Sequence, residues 1–128
     1  MIEVTEKPIE VEKVLQSVVT EKSGGFVHFI GSVRQEKGIS GLDYECYPAM
    51  ARSILVKIMN EAKQRWKVER MAIVHRYGWV AVGESSVVIA VAAEHRREAF
   101  AACEFVIEEI KKKAPIWKRE RFSYVQNS

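Results

Sequence analysis

Apolar residues recur along the chain at two spacings, one helical and one extended. Val11, Val14, Leu15, Val18 and Val19 repeat at three and four residues, which predicts a short amphipathic helix over Ile9 to Val19. Ser23-Gly24-Gly25 ends it, and Phe26 to Arg34 reads as a strand. Gln35 to Gly41 is polar with two glycines and reads as a mobile loop. Leu42 to Tyr47 is a second strand, and Pro48 stands at the first-turn position of a long helix. That helix sets Ala51, Leu55, Ile58, Ala62 and Trp66 on one stripe. Arg70 to Tyr77 and Ser85 to Ala93 are strands rich in Val, Ile and Ala, connected through Gly78 to Gly83. A last helix from Arg96 to Lys113 buries Ala99, Cys103, Val106, Ile107 and Ile110, and Trp117 to Val125 returns as a strand. Adjacent strands without an intervening helix point to an α+β fold with a largely antiparallel or mixed sheet, not a doubly wound parallel one.

At 128 residues the chain is expected to form one domain, with 48% apolar and 29% charged residues as in ordinary globular proteins. No run of about 18 apolar residues is present, so no membrane helix is expected. The start, Met1 to Lys7, lacks the charged-then-apolar pattern of an export signal. Cys46 and Cys103 stand alone and form no C-x-x-C pair, and His28, His75 and His95 are scattered. Reduced thiols in a cytoplasmic protein are expected, with no disulfide, metal or cofactor.

Charge changes the picture. The segment Lys111 to Arg121 holds six basic residues against Glu120, a local +5, while the whole chain is +3 and everything else sums to −2. Pro115 and Trp117 give it shape, so it looks like a receptor for an anionic ligand. At about 100° per residue, Lys111 lies some 40° beyond Ile107, on the border of the buried stripe, while Lys112 faces solvent. Pro115 then stops the helix. In the following strand Lys118, Glu120, Phe122 and Tyr124 share one face, and Trp117, Arg119, Arg121 and Ser123 the other. Lys118 beside Glu120 is either an acid/base or orienting pair, or a solvated surface ion pair of small worth. His95-Arg96-Arg97 opens the last helix, either as an anion site at a helix start or as exposed arginines. Cys46 has no base beside it and reads as a structural thiol.

Together these blocks carry a family resemblance. Phe29-Ile30-Gly31-Ser32-Val33-Arg34, Glu45-Cys46-Tyr47-Pro48-Ala49-Met50, Val74-His75-Arg76-Tyr77-Gly78, His95-Arg96-Arg97-Glu98-Ala99-Phe100 and Lys113-Ala114-Pro115-Ile116-Trp117-Lys118-Arg119-Glu120 stand in the order found in one family. The chain resembles the large, catalytic subunit of molybdopterin synthase, over residues 24 to 120 or so. The resemblance implies an α/β-hammerhead fold and a homodimer within a heterotetramer. It also implies a small ubiquitin-like sulfur-carrier subunit whose C-terminal Gly-Gly thiocarboxylate gives sulfur to cyclic pyranopterin monophosphate, building the dithiolene in two rounds. By the same resemblance Lys111 and Lys118 match the two catalytic lysines. Arg34, His95 and Arg96 match the pocket for the substrate's phosphate and pterin, with Phe29 and Glu120 in support. Lys111, crowded by Lys112 and Lys113, would shuttle a proton, and Lys118 would stabilise developing negative charge. Arg34 and Arg96 would clamp phosphate with forked guanidiniums.

The chain departs from the family pattern in four places. Cys46 stands where the family more often has His, Ala49 where it more often has Gly, and Ile107 where a longer side chain is usual, and many relatives continue further past Val125. Two rival readings use the same features. One is a nucleic-acid-binding module with Trp117, Phe122 and Tyr124 as stacking platforms. The other is a non-catalytic relative that only docks a carrier protein.

Overall fold

The structure, a computed structural model, describes residues 1–122. The chain runs β1 (Ile2–Thr5), α1 (Val11–Gln16), β2 (Gly25–Ser32), β3 (Ile39–Cys46), α2 (Pro48–Arg65), β4 (Val68–Arg76), β5 (Gly78–Ala81), β6 (Ser85–Ala93), α3 (Arg96–Lys113) and β7 (Ile116–Phe122). β4 and β6 are the interior. β6 is buried from Ser86 to Ala93 and β4 from Met71 to Arg76, unbroken runs that arise when both sheet faces are covered. They pair antiparallel with Ile73 opposite Ile89. β1 adds in parallel to β4 and β2 in antiparallel to β6, giving the order β1-β4-β6-β2.

Alternation along β4 and β6 divides the core. Ala72, Val74, Val88, Ala90 and Ala92 face α1 and its Val14. Met71, Ile73, Val87, Ile89 and Val91 face α2 and α3, meeting Leu55, Ile58, Ala62, Ala99, Cys103 and Val106. A second, antiparallel sheet has the order β5-β3-β7 and closes over Val33, Ile39, Tyr44 and Val80. The α+β class and the mixed strand directions are as the periodicity implied. Among the described residues, no helix is long and apolar enough to cross a membrane.

The differences have local causes. β1 was not expected. Four residues carry little periodicity, and they become a strand by pairing with the free edge of β4, with Ile73 N–H donating to Met1 O at 2.9 Å. β5 was read as connection, but Gly78 and Gly83, at φ 82° and 90°, turn the chain tightly enough to leave Gly78–Ala81 paired with β3. The loop after β2 is shorter than its composition suggested. Lys37 and Gly38 turn at φ 56° and 73°, and Ile39 is already buried in β3. α1 stops early, where Ser17 Oγ bonds back to Val14 O at 2.6 Å and Val18-Val19-Thr20 follow. Trp66 leaves the α2 stripe: its backbone is extended and its ring meets Phe105 edge-on at 5.4 Å. Ile107 is half-buried, not core. Arg34 lies beyond the end of β2, and Ser123, Tyr124 and Val125 lie outside the described residues.

Gly25 fixes how β2 meets α3. A Cβ there would stand 2.8 Å from Arg96 Cα and 2.9 Å from Arg96 N, so the strand presses directly on the first turn of the helix. Gly25→Ala should therefore destabilise the fold by about 1–3 kcal/mol, as overpacking does. Thermal unfolding should read this as a lowered Tm; an unchanged Tm would mean the helix start yields freely.

Candidate functional site

Lys111 stands in the last turn of α3, and Lys118 stands on β7 opposite Tyr44 of β3. Both line one cavity of about 580 Å³, a volume typical of small-molecule sites. Phe29, Ile30 and Gly31 of β2 form a wall, His75 of β4 and Ser86 of β6 also line it, and Ile107 and Ile110 of α3 complete the apolar side. Pro115 is what makes this possible: it ends α3 and lets β7 double back along β3.

The basic segment is sorted by its neighbours. Lys113 and Lys112 reach back to Glu109 at 2.7 and 3.8 Å, and the bonded Glu109 carboxylate raises the Lys113 pKa. Arg119 pairs with Glu45 at 2.6 Å across the β3–β7 ladder, and Arg121 pairs with Asp43. Lys111 and Lys118 are the cations of this segment with no carboxylate partner among the described residues. Four cations are matched and two are left to face the cavity. The crowding of Lys111 by Lys112 and Lys113, expected from adjacency, is relieved because both neighbours turn to Glu109.

The remaining sequence candidates divide. Phe29 lines the cavity and also an adjoining groove with Phe100 and Arg97. Glu120 shares the β7 face of Lys118 by alternation but pairs with Lys37 at 3.9 Å outside the cavity lining. Arg34 is exposed in the loop after β2 and pairs with Glu36 at 3.4 Å. His95 caps the start of α3, 3.8 Å from Glu94, and Arg96 follows it. Fifteen helical residues separate Arg96 from Lys111, about 22 Å at 1.5 Å per residue. One chain thus brings Lys111, Lys118 and Phe29 together, leaves Arg34 off the cavity lining two residues past Ser32, which does line it, and holds His95 and Arg96 at the far end of α3.

Two cavity residues, His75 and Tyr44, carried no assigned chemistry in the sequence. His75 lies within a quoted motif, but only β4's position beneath α3 and β7 shows what it faces. It is 7% exposed, its ring meets Tyr44 edge-on at 5.9 Å, and Nδ1 lies 2.9 Å from Arg76 O. Burial pushes its pKa below the ordinary value; the Arg76 carbonyl opposes this and the Lys118 charge adds to it. The cysteines are unactivated: burial raises both thiols, Cys103 to about 11. Among the described residues no three His, Cys, Asp or Glu side chains form a metal-ligand group.

Known proteins share this sequence pattern and fold. The MoaE protein family model matches residues 4–113. This chain belongs to the MoaE family. A molybdopterin synthase catalytic subunit of Pyrococcus abyssi is 39% identical over 124 residues, 93% of this chain and 84% of that one. One from Bacillus subtilis is 40% identical over 121 residues, covering 92% and 77%. The crystal structure of molybdopterin synthase from Staphylococcus aureus superposes with a TM-score of 0.88 at 36% identity, over 94% of this chain and 90% of that one. A complex of subunits 1 and 2 of molybdopterin-converting factor from Helicobacter pylori gives 0.80 at 26% identity, over 95% and 89%. The MoaE match reaches further toward the N-terminus than the motif blocks did, taking in α1, and includes Lys111 but stops before Lys118.

His75 links this site to stability. Its folded pKa lies below the unfolded value of about 6.5, so between the two the unfolded chain binds more protons. The stability of this MoaE chain should be full above about pH 6.5 and fall as pH drops through that window. Melting curves of wild type and His75→Asn should show a steeper acid loss of Tm in wild type; parallel losses would refute the assignment.

Proposed function

We propose that this chain is the catalytic subunit of a molybdopterin synthase, acting as one domain in the cytoplasm. It receives sulfur from the C-terminal thiocarboxylate of a small sulfur-carrier subunit and transfers it to cyclic pyranopterin monophosphate, forming the molybdopterin dithiolene. The observation that carries this is the pair of unmatched cations, Lys111 and Lys118, on one cavity with an apolar wall. An extended Gly-Gly tail needs a narrow entry, an anionic sulfur donor needs positive charge, and this protein needs no thiol of its own. Both cysteines have raised pKa values, which suits a chain that handles sulfur carried by another protein.

Lys118 stabilises negative charge developing on the attacked carbon's leaving oxygen or on the acyl intermediate, and Lys111 moves the proton. The substrate's phosphate is clamped by Arg34, His95 and Arg96, of which one chain holds His95 and Arg96 too far from its lysines. A second copy resolves this. β2 is an edge of its sheet, with Phe26, Phe29, Ile30 and nearby Phe100 exposed. A two-fold axis there, with the β2 strands antiparallel, sets the Gly25 end of one beside the Ser32 end of the other. That brings His95 and Arg96 of one copy to the cavity of the other. Of the stacking platforms in the nucleic-acid reading, Phe122 packs against the second core, Trp117 is exposed and meets Tyr47 edge-on at 5.6 Å, and Tyr124 lies outside the described residues.

In a single-turnover assay with thiocarboxylated carrier and cyclic pyranopterin monophosphate, wild type should form dithiolene. Lys111→Ala and Lys118→Ala should each lose ~10²–10⁴ in rate. Carrier binding without product from wild type would leave a docking relative instead. Mixing Lys111→Ala with Arg96→Ala chains should restore part of the rate, because a mixed dimer holds one intact site. No recovery, with mixed dimers verified, would place both residues in one protomer's site.

A further inference from the structure

The cavity holds two titratable side chains to which the sulfur-transfer reading gives no task, Tyr44 and His75. His75 stands at the end of β4, on the face that carries Met71 and Ile73 against α2 and α3, just past the point where the apolar core gives way to the lysines. Among the described residues its one hydrogen bond is made by Nδ1, at 2.9 Å from Arg76 O. A carbonyl accepts only, so Nδ1 carries the proton and Nε2 keeps a lone pair. The groups around it come from every packed element. β3 brings Tyr44, edge-on to the ring; β7 brings Lys118, in register with Tyr44; α3 brings Lys111; β6 brings Ser86 and Val87; and β1 pairs Val4 with it. An ammonium donates only, so the bare Nε2 is a matching acceptor for either lysine, and Lys118 is the one whose charge His75 feels.

We propose that His75 is the positioning residue of Lys118, its neutral imidazole accepting a hydrogen bond from the ammonium through Nε2 and holding it toward the reacting atoms. This rests on the sulfur-transfer reading above. Nζ is not bonded to Nε2 in the structure, but the four-carbon stem of a lysine can bring it there, and such bonds commonly tighten only when substrate is present. The Arg76 carbonyl has the part of orienter, fixing the tautomer as a partner on the second ring nitrogen does elsewhere. Protonated, the imidazole has no acceptor left and becomes a second cation beside Lys118, which it would drive out of place. Burial and the Lys118 charge both keep it neutral at neutral pH.

The test uses the whole chain with thiocarboxylated carrier and cyclic pyranopterin monophosphate between pH 5 and 8. Wild type should lose rate as the pH falls through the His75 titration. His75→Asn keeps an amide donor for the Arg76 carbonyl but cannot titrate. It should lower kcat on the order of 10²-fold with KM little changed, and abolish the acid limb. His75→Gln, with a carbonyl oxygen near the Nε2 position, should recover part of the rate, again without the limb. A His75→Asn enzyme with wild-type kcat and an intact acid limb would overturn the proposal. A readout independent of activity covers the case in which the Asn variant fails to fold. Nitrogen NMR of the free protein should show Nδ1 protonated and Nε2 bare, with a titration midpoint that rises in Lys118→Met, which keeps the stem and removes the charge. A midpoint unmoved by Lys118→Met would overturn the proposal as well. Wild type that makes no product would instead refute sulfur transfer, leaving the NMR result to decide the His75–Lys118 contact alone.

Discussion

The antiparallel pairing of β4 with β6 is the constraint on which the molecule depends. Both strands are apolar on both faces, so neither can stand against water, and each must be covered twice. One face takes α1, the other takes α2 and α3, and the strand edges take β1 and β2. The cavity exists because this covering ends. On the α3 face the apolar run ends at Ile73 on β4 and Val87 on β6, α3 stops before Pro115, and β7 turns back to a different sheet. His75, Lys111 and Lys118 occupy the gap between the two layers.

Electrostatics completes what packing begins. A run of six cations would be a diffuse basic patch if every charge were free. Asp43 and Glu45 on β3 and Glu109 on α3 pair with four of them, Glu109 with two at once, at positions set by strand register and helical repeat. The cations of these pairs are exposed, and such pairs contribute little to stability where water reaches them. Their effect is to leave the unpaired positive charge of this segment, Lys111 and Lys118, on one cavity with one apolar wall.

Much of the fold was legible in the sequence, because amphipathic period is a local property. The α2 and α3 stripes and the β2, β4 and β6 runs follow directly from where Val, Ile, Leu and Ala fall. The failures lay where an element borrowed its stability from a neighbour. β1 and β5 are four residues each and exist only as partners of β4 and β3. Of the site, the lysines announced themselves through charge density and the proline beside them. His75 did not, since a histidine in a Val-rich strand looks like any satisfied core residue until its surroundings are placed.

The sequence by itself determined the composition of the core, the class of fold, the family and the concentration of charge in one segment, all of which are functions of residue type and spacing. Tertiary structure decided which cations of the basic segment have no carboxylate partner among the described residues, which titratable groups sit beside them, and that His95 and Arg96 stand apart from Lys111 and Lys118 in one chain. Those depend on strand register and on the rigid length of α3, and neither is encoded in any local window. An α-helix of eighteen residues keeps its two ends about 27 Å apart whatever its side chains prefer. That rigidity is the physical reason a single protomer holds Lys111 at one end of α3 and Arg96 at the other.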